Sequence, residues 1–203
     1  MRQLLLTGSG GFLGNKILKN LENLNYLQVT LVGEEDRHSG RYPYLAASKL
    51  GVRQLSTNDV LSLCGAHYYK GSDPAIIEQM NRYNRTYTKT AIEQFVSSGG
   101  RRVVFFSSYM QLYSPGHQPY ADEYLDSKRE IIKYITSDER LELQNLYIYD
   151  NWSRCDQRGK FLPLLLKSIR QKRKFYIPSP KTLMDISDAD ALAKSIIRCV
   201  LEF

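Results

Sequence analysis

At 203 residues the chain is long enough for one well-packed domain and too short for several. A hydrophobic fraction of 42% excludes an intrinsically disordered composition, and no apolar run is long enough for a transmembrane helix. The net charge of +7, from 28 Lys and Arg against 21 Asp and Glu, favours anionic partners. Taken in order, Leu4, Leu5 and Leu6 read as a buried strand. It breaks at Thr7-Gly8-Ser9-Gly10-Gly11-Phe12-Leu13-Gly14 and re-emerges as a helix over 15–21. Strand, glycine turn and helix form the context of a dinucleotide site. Gly8 takes the tight turn, Gly11 lets backbone approach a pyrophosphate, Gly14 packs helix on strand, and the helix N-terminus offers free N–H groups.

Residues 28–32 read as a second strand. At its tip a carboxylate such as Glu34 can serve a ribose, while Arg37 or Arg41 can serve a 2′-phosphate, so NAD and NADP both stay open. Residues 39–58 show no third strand. Residues 60–66 read as a buried strand ending in small residues, Cys64, Gly65 and Ala66, which let a cofactor lie close to backbone. Asp73 caps a long helix opened by Pro74, with Ile77, Met80, Tyr83 or Asn84, Tyr87, Ala91 and Phe95 at helical spacing. Strands follow at 103–108 and 146–149, and helices at 123–135, 161–173 and 188–201, the last capped by Asp188. This alternation predicts an α/β fold, a Rossmann-type doubly wound, mostly parallel sheet with helices on both faces, as a single unit over 1–203.

Tyr124 and Lys128 stand four apart, hence on one helix face. A lysine beside a phenol favours the phenolate, which suits proton exchange with a substrate hydroxyl or carbonyl. The cysteines, Cys64, Cys155 and Cys199, have no metal-ligand spacing, so no metal is expected and a reduced cytoplasmic setting is. The N-terminus lacks a signal-peptide layout. The densest basic run, 167–174, reads as a solvated helix end. Charge alone would support nucleic-acid binding, but no Arg/aromatic interleaving accompanies it, so neither nucleic acid nor membrane is expected as a partner.

In combination these signals go further. T-G-x-x-G-F-x-G near the N-terminus, a strand ending in Ser107-Ser108, and Tyr124-x-x-Ser127-Lys128 resemble the extended short-chain dehydrogenase/reductase family, especially its nucleotide-sugar epimerases, dehydratases and reductases. Asn84 with Thr88, Asn151, and the 184–191 segment fit the same pattern in the same order. The resemblance implies that Gly8, Gly11, Phe12, Leu13 and Gly14 cradle the pyrophosphate of NAD or NADP, with Glu34, Cys64 and Gly65 as further cofactor-binding positions. It implies Tyr124 as general acid/base, Lys128 on the nicotinamide ribose, Asn151 on the substrate, and a homodimer through helices 74–96 and 123–135. The chain departs from the family at three points. Counting back from Tyr113, the active-site hydroxyl falls on Tyr109 rather than a serine, with Ser108 adjacent. An expected arginine is Ile148. Only about residues 152–183 remain for a C-terminal substrate lobe. These departures motivate an alternative, a catalytically silent NAD(P)-binding sensor or regulatory subunit on the same fold.

Overall fold

A computed structural model describes residues 2–22, 24–34, 41–68, 73–112, 122–154, 156–177 and 184–203. Six strands form one fully parallel sheet in the order β3-β2-β1-β4-β5-β6. They are β1 (Arg2–Thr7), β2 (Leu27–Gly33), β3 (Tyr44–Ala46), β4 (Val60–Leu63), β5 (Arg102–Ser108) and β6 (Glu142–Ile148). The strand order reverses between β1 and β4, which opens a crevice at the carboxyl ends of the strands, as in doubly wound Rossmann-type folds. A separate two-stranded parallel sheet pairs β7 (Asp150–Trp152) with β8 (Ile186–Asp188).

The helices are α1 (Phe12–Leu21), α2 (Pro74–Asn81), α3 (Thr88–Ser97), α4 (Asp122–Thr136), α5 (Phe161–Arg170) and α6 (Ala189–Glu202). Side chains alternate along each strand, and both sheet faces are covered. Leu4, Leu6, Val104 and Phe106 pack with Ile17 and Leu21 of α1 and Ile196 and Val200 of α6. Leu5, Leu61, Leu63, Val103 and Phe105 face Ala91 and Phe95 of α3 and Ile131 and Ile135 of α4. That double burial is why the strands read as continuous apolar runs. Ala91 and Phe95 are fully buried within the chain's own core.

Four expectations need correction. A third strand exists, but β3 is three residues long, at the sheet edge, directly after Pro43. The fourth strand stops at Leu63, and Cys64–Gly65–Ala66 continue beyond the ladder toward the crevice. The sixth begins at Glu142, earlier than 146, because it runs beside β5 from Arg102 onward. The helix predicted to 173 ends at Arg170. Between α2 and α3 the helix continues through one π turn, Arg82–Tyr87. Among the described residues no helix is long and apolar enough to cross a membrane.

Candidate functional site

The glycines of the first loop are required by contact, not only by flexibility. Gly8 has φ +67°, and a Cβ there would lie 2.3 Å from the Cα of Gly65. A Cβ on Gly14 would lie 2.2 Å from the carbonyl oxygen of Gly8. The β1 and β4 ends therefore touch backbone to backbone, tied by Gly65 N donating to Thr7 Oγ1 at 3.2 Å. Helix α1 starts from Gly11 with no side-chain cap, so the amides of its first turn have no carbonyl in a preceding turn to pair with. A cavity of about 510 Å³ opens there, bounded by Gly8, Gly11, Phe12, Leu13 and Gly14 on one side. A carbon atom at Gly8 or Gly14 would break this cradle, which fits a diphosphate held on backbone N–H groups.

One end of the cavity is aromatic. Glu34 stands at the tip of β2 and lines it, its carboxylate accepting from Tyr83 OH at 2.8 Å and facing Arg82 at 3.4 Å. Gly33 leaves room for Tyr44, whose hydroxyl would be 2.0 Å from any Cβ there. The His67 ring stacks on Tyr83 at 4.0 Å. Asn84 holds the loop in place, accepting from His67 N and donating to His67 O, both at 2.8 Å, while Thr88 donates to Tyr83 O. The π turn sets Tyr83 and Tyr87 toward the cavity with Asn84 buried beneath. Burial raises the Tyr87 phenol, whose hydroxyl is buried without a hydrogen-bond partner among the described residues. Arg41 instead donates to Glu22 O at 2.7 Å, and Arg37 lies outside the described residues.

The other end carries Tyr124 and Lys128 of α4. Lys128 is buried, and its Nζ donates to Phe106 O at 2.8 Å. It lies 5.7 Å from the centre of the Tyr124 ring. Desolvation brings Lys128 down to about 8, partly offset by Cys64. Burial, then Tyr68 packed edge-on at 5.2 Å, pushes the Tyr124 phenol up to about 12. Burial therefore outweighs the lowering of the phenol expected from the neighbouring lysine. The ammonium is spent on a backbone carbonyl, and the same low dielectric opposes both charged forms. Cys64 also lines the cavity, its thiol pushed up to about 12 by burial.

The two serines at the end of β5 have different surroundings. Ser107 lines the cavity and donates to Asn145 Oδ1. Ser108 does not line it. Its Oγ accepts from Met110 N at 3.3 Å and its N–H donates to Gln111 Oε1 at 3.0 Å, so it caps the turn that follows β5. Tyr109 stacks on Tyr149 at 5.2 Å. Tyr113 lies outside the described residues. Asn151 lines the cavity from β7, beside Ile148.

Sequence reasoning misses Arg158. Its guanidinium carbon sits 3.5 Å from the centre of the Phe12 ring. The same group donates to Asn151 O at 2.5 Å and Oδ1 at 3.2 Å, and pairs with Asp156. It joins the β7 segment to the glycine loop, and it lines the cavity. No local pattern marks it, because the contacts that place it join residues 12, 151 and 158 across the fold.

No protein-family model and no curated protein sequence matches the chain. Solved structures do, and the class they share is the doubly wound, Rossmann-type α/β fold described above. One is UDP-N-acetylglucosamine 4-epimerase from Bacillus cereus, 15% identical, with a TM-score of 0.75 over 100% of this chain and 72% of that one. Another is the Bordetella bronchiseptica enzyme WbmH in complex with NAD+, 16% identical, TM-score 0.73, over 98% of this chain and 72% of that one. A third is the human epimerase family protein SDR39U1 (isoform 2) with NADPH, 15% identical, TM-score 0.73, over 98% and 70%. At these identities the likeness is one of fold.

Proposed function

We propose that the chain is an NAD(P)-dependent epimerase or reductase acting on a sugar, most simply a nucleotide-linked one. The observation that carries this is the single cavity joining the Gly8–Gly14 cradle to Tyr124 and Lys128. Among solved structures with this fold WbmH holds NAD+ and SDR39U1 holds NADPH, and several others are UDP-sugar epimerases by name, which supports the reading. When bound, the nicotinamide supplies hydride acceptance and donation. The rest falls to the chain. The first-turn amides of α1 would hold the diphosphate, and Glu34 would accept from the adenosine ribose hydroxyls. Tyr124, neutral at physiological pH with its phenol near 12, donates a proton from its hydroxyl to a substrate oxygen, and takes it back in the reverse direction. Lys128 contributes positive charge below about pH 8, when bound ribose hydroxyls compete for it with Phe106 O. Asn151 and Ser107 orient the substrate, with Ser107 in the role expected of Ser108. The experiment is turnover of nucleotide sugars by Tyr124→Phe against wild type, with cofactor affinity measured alongside. Loss of turnover by at least a hundredfold with affinity kept within a few-fold is expected. Wild-type turnover in the variant overturns the mechanism.

A second reading, a silent NAD(P)-binding sensor, is favoured by one observation, that Ser108 serves the turn rather than the cavity. It predicts tight cofactor binding and no turnover with any nucleotide sugar in wild type.

A further inference from the structure

The net positive charge of the chain is concentrated in one stretch. Residues 157–184 carry eight of the 28 basic side chains and none of the 21 acidic ones. That leaves twenty basic residues against 21 acidic elsewhere, so the remainder is nearly neutral. Inside this stretch α5 has no buried residue. Leu164 and Ile169 are 42% and 62% exposed, and beyond the helix Tyr176 is 83% and Ile177 46% exposed. Lys167, Arg170, Lys172, Arg173 and Lys174 are exposed among them. A merely solvated helix end accounts for the cations but not for aliphatic and aromatic side chains set between them.

The local backbone holds this arrangement. Lys172 N donates to Ile169 O at 3.1 Å and Arg173 N to Ser168 O at 2.9 Å, the paired bonds of a helix stop that normally uses glycine. Here the left-handed residue is Lys172, at φ 52°. The stop returns the chain along α5, so that Phe175 meets Phe161 edge-on at 5.4 Å. The basic tip then lies about 15 Å along the helix from its start, which adjoins the cleft residue Arg158.

We propose that this hairpin is a peripheral docking surface for an anionic lipid bilayer. Lys167, Arg170, Lys172, Arg173 and Lys174 meet headgroup phosphates, and Ile169, Tyr176 and Ile177 enter the interfacial layer. A bilayer accepts cations and adjacent apolar side chains together, whereas the phosphate backbone of a nucleic acid offers aliphatic groups nothing. A protein interface is depleted of charge at its core, unlike this surface. The proposal is independent of the reaction above.

The test is co-sedimentation of the full chain with phosphatidylcholine vesicles, alone or mixed with phosphatidylglycerol, over a range of salt. Binding to the mixed vesicles only, weakening with salt, is expected. Each cation near the surface is worth about fivefold, so Lys172→Gln, Arg173→Gln and Lys174→Gln together lower partitioning about a hundredfold. Ile169→Ser with Tyr176→Ser lowers it further while the salt dependence persists. All five side chains are exposed, and circular dichroism checks that the variants stay folded. No binding to the mixed vesicles at low salt overturns the proposal. So does a triple-glutamine variant that binds like wild type, an apolar pair without effect, or tighter binding to duplex RNA than to vesicles.

Discussion

Gly8 and Lys128 fix the two ends of the candidate site, and each makes a prediction by itself. In Gly8→Ala the new methyl meets the Gly65 backbone at 2.3 Å, in a backbone region that L-residues avoid. The two penalties together destabilise the fold by about 2–4 kcal/mol. Cofactor binding is lost in the fraction that stays folded. Denaturant unfolding and a cofactor titration measure both. Lys128 is buried, and its pKa falls from 10.5 to about 8. Between these values the unfolded chain binds the proton that the folded chain has released, so stability rises with pH across that window. Below about pH 8 the full cost of the buried charge is present. Lys128→Met removes it and stabilises the fold at pH 7 by about 2–3 kcal/mol, less what the Phe106 carbonyl loses. The advantage shrinks by about 2 kcal/mol between pH 8 and 9.5, while turnover is lost at every pH. A variant no more stable than wild type at pH 7 contradicts the buried-charge account.

At the scale of elements, the parts fixed by local rules are the ones legible in sequence. Asp188 is recognisable as a cap, and its carboxylate accepts from Asp190 N at 3.0 Å and Ala191 N at 2.8 Å. Asp188→Ala costs about 1 kcal/mol in the unfolding free energy, and Asp188→Asn restores most of it. Equal loss in both variants would show that charge, not capping, matters there. Tyr124 and Lys128 are paired by the helical period, and the glycine loop by its spacing, so both are readable. β3 is not, because three residues at an edge carry too little pattern to distinguish from loop. β7 and β8 pair across 33 intervening residues (153–185), which no local pattern encodes. That Ser107 rather than Ser108 lines the cavity depends on how the turn after β5 is capped, by Ser108 and Gln111. The aromatic wall is carried by the π turn, from which Tyr83 and Tyr87 both line the cavity while Tyr87 also packs against the core.

At the scale of the molecule the question is how the small β7–β8 sheet is held against the large one. Helix α6 packs on β7, β8 and α1, and Lys16 of α1 pairs with Asp190 at 2.8 Å. That joint begins at Lys16, two residues after Gly14 of the glycine loop. Near it, Arg158 is the bridge, with Phe12 under its guanidinium and Asn151 and Asp156 as acceptors. Hydrogen bonds to a charged group are worth about 1.5–3 kcal/mol and the ring contact about 0.5–2, but the group is partly solvated and the sum is discounted accordingly. Arg158→Ala is therefore expected to cost about 1–3 kcal/mol in stability. The functional effect is directional. The glycine cradle is built from backbone and keeps its shape, so cofactor affinity changes within a few-fold. Asn151 loses its clamp, so under the proposed function KM for the sugar is expected to rise about tenfold or more, as one lost charge-assisted bond requires. Arg158→Lys keeps the charge without the planar fork and rescues KM only in part. Cofactor titration, steady-state kinetics and unfolding on the two variants separate these effects. Equal weakening of cofactor and sugar in Arg158→Ala would place the residue in the cradle itself rather than between the two sheets.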